Sequence, residues 1–396
     1  MHIALLIPGL DRIGGAEGQV LLLARGMRRR GWRVSVVVLS GDGGQAAAKL
    51  QAAQIDFVSL GFRRGLADPR GWRRFREWLR SEQPDLLHAH LPHAAWLARA
   101  ARLWGSAPAL VDTLHSSATG GWVRHLLYRL SRGLPDGVTA VSYAAAETHL
   151  LAHMVRAETL HVIPNGIDFH RFRLDRSARQ ALRAGLGAED SFLWLAVGRL
   201  DRVKDYPTLL RAVSGLPADV SLWIAGAGPE EKALKALALW LGLGSRVRFF
   251  GFRADVDQLM QAADGFVLSS RWEGMPVALL EAAGCELPIV ATDVQGTREA
   301  VECLGAGRLV APGDPAALAS GMRDTMQRPA AQLRAMAAHA RRNAELRFAL
   351  DVVLDEWESI YRSLSTGQRP RGRPAAVSAG GGRESVAEPS LHESAR

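Results

Sequence analysis

Short unbroken runs of Val, Ile, Leu and Ala alternate with amphipathic segments along nearly the whole chain, and that alternation permits few folds. HIALLIP is followed by GAEGQVLLLARGMRRRG and then WRVSVVVLS, and the series continues through DLLHAH, ALVDTLH, GVTAVS and LHVIPN. A short apolar run without polar alternation is buried on both faces, the state of a strand in a parallel sheet covered by helices. Around FHRFRLDRSARQALRAGLG, 169–187, the pattern dissolves into charged and small residues. A second series then begins with SFLWLAVGRL, VSLWIAGAG, RVRFFGF, GFVLSS, PIVAT and GRLV. The reading is an α/β protein of two doubly wound, Rossmann-like domains, 1–168 and 169–349, with an amphipathic helix at about 350–366 returning to the first. From about 367 the chain turns to Gly, Pro, Arg and Ser, so 367–396 is expected to be a disordered tail. Ligands of such sheets bind beyond the carboxyl ends of the strands, which places the expected site in the cleft between the domains.

Composition narrows the classes. With 396 residues the chain is long enough for two cores, and only two cysteines occur, Cys285 and Cys303, without metal-like spacing. We expect a cytoplasmic protein without a signal peptide or membrane span, since Asp11 and Arg12 follow the apolar start directly and no apolar run reaches about 18 residues. The net charge of +9 favours an anionic partner: nucleic acid, a phosphorylated substrate or an anionic membrane surface. Part of that charge lies in GFRRGLADPRGWRRFREWLR, 61–80, where Trp72, Phe75 and Trp78 recur every three residues beside arginines. A helix there either packs this stripe inward or lays it on a membrane face.

Chemistry-bearing residues cluster at strand ends. In RWEGMPVALLEAAG, 271–284, Pro276 suits the first position of a helix, leaving Glu273 in the preceding loop and Glu281 in the second helical turn. Glu281 then lies roughly 8 Å along the axis from Pro276, so the two carboxylates can grip different parts of one elongated ligand. Gly274 permits close backbone approach, and a helix N-terminus favours an anion. In GRLDRVKD, Arg199 and Lys204 follow a strand and suit a diphosphate; alone such a pair favours solvated loop charge, and the Glu pair reverses that balance. PGLDRIGGAEGQ offers backbone N–H groups at Gly14 and Gly15 but lacks the dinucleotide and P-loop fingerprints. His88 and His90 share one strand face and His115 ends the next strand; hydrogen bonding to a polyhydroxylated ligand suits them better than a metal. Asp255 and Asp257 read as a helix N-cap and a first-turn acid.

These elements in this order resemble the family 4 glycosyltransferases, retaining enzymes of the GT-B fold. The matching stretches are GGAE at 14–17, HAH at 88–90, TLH at 113–115, AVS at 140–142, IPNGID at 163–168, GRLDRVKD at 198–205, EGMPVALLE at 273–281 and LPIVATD at 287–293. The resemblance implies that Arg199 and Lys204 bind the donor diphosphate, Glu281 the ribose, and Glu273 with the backbone of Gly274, Met275 and Pro276 the donor sugar. It places His115 beside the reacting centre and Gly15 near the phosphate, with His90 and Asn165 as candidate acceptor or sugar contacts. It further implies a nucleoside diphosphate sugar as co-substrate with no other cofactor or metal, and a lipid-linked or saccharide acceptor in cell-surface polysaccharide or glycolipid synthesis. Two positions depart from many relatives: Glu286 after Cys285, and Gln295 before Gly296, the latter near the expected sugar pocket. A GT-B nucleotide-sugar 2-epimerase and a nucleic-acid-binding protein are the other readings; the first lacks an obvious acidic pair in the amino-terminal domain, the second a recognised module.

Overall fold

A computed structural model of the chain describes residues 1–104, 108–117, 120–186 and 191–366; the expected tail, 367–396, lies outside them. The first half runs β1 His2–Ile7, α1 Gly15–Arg29, β2 Arg33–Val38, α2 Gly44–Ala52, β3 Asp56–Ser59, α3 Pro69–Glu82, β4 Leu86–His90, α4 Pro92–Ala101, β5 Ala109–Leu114, α5 Trp122–Ser131, β6 Gly137–Ala140, α6 Tyr143–Leu151 and β7 Leu160–Val162. These strands form a seven-stranded parallel sheet of order β3-β2-β1-β4-β5-β6-β7. Each strand feeds both faces: in β1, Ile3, Leu5 and Ile7 enter the core beneath α1 and α2, while Ala4 and Leu6 enter the one beneath α3, α4 and α6. That two-sided burial is why the strand reads as continuous apolar sequence rather than alternation.

The second half runs α7 Arg176–Leu186, β8 Phe192–Val197, α8 Tyr206–Ser214, β9 Val220–Ala225, α9 Glu231–Trp240, β10 Val247–Gly251, α10 Val256–Ala262, β11 Gly265–Leu268, α11 Val277–Gly284, β12 Ile289–Thr292, α12 Gln295–Leu304, β13 Arg308–Val310, α13 Pro315–Met326, α14 Ala330–Phe348 and α15 Leu350–Ser365. Its sheet is six-stranded and parallel, order β10-β9-β8-β11-β12-β13. Both sheets have a switch point, between β1 and β4 in the first and between β8 and β11 in the second, and such points are where doubly wound sheets bind ligands.

The chain passes between the sheets twice, and the two passages lie side by side. Ile167 donates its N–H to the Phe348 carbonyl at 2.7 Å, and Leu350 returns one to the Ile167 carbonyl at 3.0 Å. Helix α14 stays with the second sheet through α11 and α12, whereas α15 packs on α1. Val353, Leu354, Trp357, Ile360 and Tyr361 of α15 are buried in the core shared with β1 and β2. At roughly 1.5–3 kcal/mol for each large apolar side chain, this burial outweighs what so short a helix gains from its own hydrogen bonds.

One sequence reading needs correction, and one pair of alternatives is decided. Strand β3 has no counterpart in the apolar series; it is a four-residue edge strand with no fully buried residue, so it lacks the apolar run that marks its neighbours. The aromatic stripe of 71–80 faces inward. Phe75 is buried, Trp72 and Trp78 are half-buried, and Phe75 stacks on Trp78 while Trp72 meets Phe62 edge-on. The stripe is therefore spent on the domain's own core and gives no apolar face to a membrane. Among the described residues no helix is long and apolar enough to cross one.

The Tyr361 hydroxyl is the 2.7 Å partner of His88 Nδ1, in a wholly buried pair. Tyr361→Phe leaves that ring nitrogen without a partner at unchanged side-chain shape. We expect a loss of about 1–3 kcal/mol, read as a lower denaturation midpoint; an unchanged midpoint would remove this pair from the forces holding α15.

Candidate functional site

The loop leaving β8 carries Arg199 and Lys204 and is held on both sides. Gly198 and Leu200 donate N–H groups to the carbonyls of Ala225 and Ala227, and the buried Tyr206 hydroxyl donates to the Gly198 carbonyl at 3.1 Å. Lys204 Nζ sits 2.5 Å from Glu273 Oε1, and the Ser270 hydroxyl donates to the same oxygen at 2.6 Å. Ser269 at the end of β11 donates to the Lys204 carbonyl at 2.7 Å, so the loops after β8 and β11 are locked together. With side-chain exposures of 21% and 12%, the Lys204–Glu273 pair is shielded from water and screening. Arg199 is not drawn into this pair: its side chain is 69% exposed and its ion-pair partner is Asp201 at 3.6 Å.

Helix α11 starts one residue later than the sequence suggests, with Pro276 as its N-cap and Val277 as its first residue. Gly15 opens α1 on the other domain, and a Cβ built on it would lie 3.8 Å from Val277 Cγ2. Two helix N-termini thus meet across the cleft, each presenting first-turn N–H groups, although at α1 the Gly14 N–H is already taken by the Glu17 carboxylate at 3.0 Å. Asn165 Nδ2 donates to the buried Met275 carbonyl at 3.4 Å, and Ser117 donates its hydroxyl to the Glu273 carbonyl at 3.0 Å. Gly274 completes this seam: a Cβ there would stand 2.5 Å from the His115 carbonyl oxygen, so only glycine lets the loop reach the other domain's backbone.

Glu281 lies in the second turn of α11, partly buried, and makes no side-chain hydrogen bond or ion pair among the described residues. Burial pushes its carboxyl up to about 7; the Arg171 charge opposes this shift and Asp257 adds to it. On the facing domain, His90 Nδ1 lies 2.9 Å from His115 Nε2, while His88 is committed to Tyr361 and Thr113. Burial depresses all three histidines, His115 to about 4, so they are neutral at neutral pH. His90 Nε2 is buried without a partner. The tautomer that leaves no buried N–H unpaired has His90 donate from Nδ1, and His115 then carries its own proton on Nδ1. One pocket is lined by Gln19, His90, Thr113, His115, Asn165 and Trp357.

Three residues of this neighbourhood carry no recognisable chemical signature in the sequence. Gln19 clasps Gly166, accepting from its N–H at 2.8 Å and donating to its carbonyl at 2.9 Å. Glu299 on α12 accepts from the N–H groups of Tyr143 and Ala144, capping α6 of the opposite domain. Gly296 lies beneath the Glu273–Gly274 loop, where a Cβ would fall 2.3 Å from the Gly274 carbonyl oxygen. Beside it Gln295 is the exposed first residue of α12. Asp255 stands at the N-cap of α10 but makes no capping bond; its carboxylate pairs with Arg253, and Asp257 pairs with Arg171. Among the described residues no three His, Cys, Asp or Glu side chains converge as a metal site.

Comparisons with known proteins agree on what this geometry belongs to. Residues 178–345 match the family described as Glycosyl transferases group 1, and residues 13–171 match Glycosyltransferase Family 4. The chain is 28% identical over 382 residues to the phosphatidyl-myo-inositol mannosyltransferase of Mycobacterium leprae, covering 92% of this chain and 98% of that protein. It is 28% identical over 295 residues to the lipopolysaccharide core biosynthesis glycosyltransferase LpsD of Rhizobium meliloti, covering 73% and 78%. Among solved structures it is similar to Anabaena HepE in complex with UDP and glucose, with a TM-score of 0.82 and 26% identity over 92% of this chain and all of that one. With both halves matched by the family and 92% of the chain covered by a solved GT-B glycosyltransferase, the chain belongs to the family 4 glycosyltransferases of the GT-B fold.

Proposed function

We propose that the protein is a retaining, metal-independent glycosyltransferase that moves a sugar from a uridine diphosphate sugar to a lipid-linked or saccharide acceptor, working in the cytoplasm at the inner face of the membrane. The observation that carries this reading is the seam where the Lys204–Glu273 pair, the N-termini of α1 and α11 and the backbone of His115 meet. Support for the donor comes from HepE, seen with UDP and with UDP-glucose. Support for the acceptor comes from the relatives, among them a galactosyltransferase of Escherichia coli whose name specifies a diphosphoundecaprenol-linked acceptor.

In this reading the donor lies along the second domain. Glu281 accepts from the ribose hydroxyls, the diphosphate sits over the N–H groups of α11 and α1, and Glu273 accepts from the sugar. Negative charge builds on the diphosphate as the glycosidic bond breaks. Lys204 and Arg199, with the two helix ends, are placed to stabilise it, a task in which fixed charges in a closed cleft outperform water. Lys204 exchanges part of its contact with Glu273 for a phosphate oxygen, and Arg199 is free to swing in because little holds it. His115, neutral and carrying its proton on Nδ1, donates to a sugar oxygen. The acceptor attacks from the face the diphosphate leaves, and the departing phosphate takes its proton.

Lys204→Ala and Arg199→Ala should each lower the transfer rate by about 100-fold or more, the range seen when one preorganised charge stabiliser is lost; transfer at the wild-type rate in either variant would refute its diphosphate role. A thermal-shift panel of UDP-, GDP- and ADP-sugars should show stabilisation by a uridine donor alone, and a response confined to a guanosine or adenosine donor would overturn the assignment.

Glu281 adds a prediction with a definite sign. Its folded pKa of about 7 exceeds the ordinary 4.5. The folded state therefore binds more protons between those values, and stability falls as pH rises through that window, by up to about 3 kcal/mol. Glu281→Gln should melt higher than wild type at pH 8 and equally at pH 4.5, while binding UDP about 10-fold more weakly for want of a charge-assisted hydrogen bond. An equal melting difference at both pH values would rule out the buried charge as its cause.

A further inference from the structure

Helix α5 turns its apolar side away from the protein. Trp122, Val123, Leu126, Leu127 and Leu130 are 78%, 48%, 46%, 41% and 76% exposed. At 3.6 residues per turn they occupy about 140° of the helix circumference, one continuous face. The side that meets the domain is instead centred on Tyr128, which is buried against Trp96 and under the guanidinium of Arg99. A water-facing helix has the reverse arrangement, and a contiguous exposed apolar face of this size marks a binding surface.

The charges around the face select the partner. Between Asp112 and Asp136 the sequence holds no acidic residue but has Arg124, Arg129 and Arg132, of which Arg129 and Arg132 are exposed. Helix α3 covers the same side of the sheet and, with its aromatics turned inward, exposes Arg73, Arg74, Arg76 and Arg80. The turn Arg102–Trp104 is tied to both neighbourhoods: Trp104 packs on Trp72 of α3 beneath Arg76, and Arg102 pairs with Asp136 in the segment leaving α5. Leu103 on that turn is 74% exposed. An apolar strip bordered by arginines fits an anionic bilayer, whose acyl boundary takes the leucines and whose headgroups take the guanidinium groups. A second copy of the chain placed about a two-fold axis would set these arginines against each other.

We propose that α5 seats the enzyme on an anionic membrane, its apolar face entering the acyl boundary while the arginines of α5 and α3 lie among the headgroups. The proposal rests on the membrane-side reading above and names the surface responsible. Its position suits a lipid-linked acceptor, because Ser117, five residues before Trp122, hydrogen-bonds the Glu273 loop. A sugar in the cleft and its lipid in the bilayer would then be reached from one short stretch of chain.

The test is flotation of the full chain with phosphatidylcholine vesicles, with and without phosphatidylglycerol, for the wild type, a Leu126→Ser/Leu130→Ser double variant and an Arg129→Gln/Arg132→Gln double variant. We expect wild-type binding to phosphatidylglycerol vesicles, weakened by added salt. The leucine pair should cut that binding at least about 10-fold. The arginine pair should weaken it only where phosphatidylglycerol is present. Both variants change exposed side chains and should keep the wild-type melting point and UDP-sugar response. A leucine variant that floats like the wild type overturns the proposal, as does a wild type that ignores the vesicles at low salt. Light scattering that finds a wild-type dimer and a monomeric leucine variant assigns the face to a second copy instead. Transfer to a water-soluble acceptor by a protein that ignores vesicles sinks the membrane surface and leaves the transferase reading intact; loss of every nucleotide-sugar response sinks the transferase reading itself.

Discussion

Three stretches of backbone lie in contact at the centre of this molecule with no side chain between them: His115 from the first domain, the Glu273–Gly274 loop, and Gly296 beneath it. A methyl group at Gly274 would meet the His115 carbonyl at 2.5 Å, and one at Gly296 would meet the Gly274 carbonyl at 2.3 Å. Both distances are shorter than any real carbon contact, so either substitution must part the layers. Much of the rest follows from that stack. It holds the N-termini of α1 and α11 within van der Waals reach of each other, sets Ser117 on the Glu273 carbonyl, and lets Glu299 reach the first turn of α6. The domains are joined covalently at Ile167 and Phe348–Leu350, but the stack is what makes them one site.

Charge is distributed around the stack in a graded way. Lys204 and Glu273 are shielded and paired, Arg199 is exposed and lightly held, and Glu281 is partly buried with no partner among the described residues. A pair such as Lys204–Glu273 holds both side chains in place while the cleft is empty and contributes little to stability overall, since desolvation offsets attraction. Under the proposed function what it supplies is position: each group is held in place before a sugar or phosphate arrives, so less reorganisation accompanies charge development. The loosely held Arg199, paired only distantly with Asp201, is the complementary case: in the proposed function its contact with the diphosphate forms as the donor binds.

Much of the architecture was legible because two-sided burial writes itself into a strand. Ile3, Leu5 and Ile7 go one way and Ala4 and Leu6 the other, so all must be apolar, and the run announces a parallel sheet. Strand β3 was not legible, being an edge strand without a fully buried residue. Helix faces were ambiguous for a different reason. Periodicity reveals that a helix is two-sided but not which side the protein takes: α3 turns Phe75 inward, whereas α5 buries Tyr128 and leaves Leu126 and Leu130 in the open. In the site, Glu273, Glu281 and Lys204 drew attention because charged residues are conspicuous beside apolar strands. Gln19, Gly296 and Glu299 did not, since their roles depend on contacts across the cleft that no local spacing encodes.

Two polar groups without a partner among the described residues suit the proposed ligand. Among the described residues Glu281 has no hydrogen bond, and burial raises its carboxyl to about 7; His90 Nε2 is likewise buried without a partner among them. Both could have been replaced by apolar side chains at a gain in stability, because an unpaired buried polar group costs free energy that nothing in the empty protein returns. Under the proposed function that cost is recovered when a ligand supplies hydroxyl donors to them. A nucleotide sugar has hydroxyls at both ends and a diphosphate between. In the proposed function Glu281 meets the ribose, the two helix N-termini with Lys204 the diphosphate, and Glu273 beside the neutral His115 the sugar, the order in which such a molecule carries these groups.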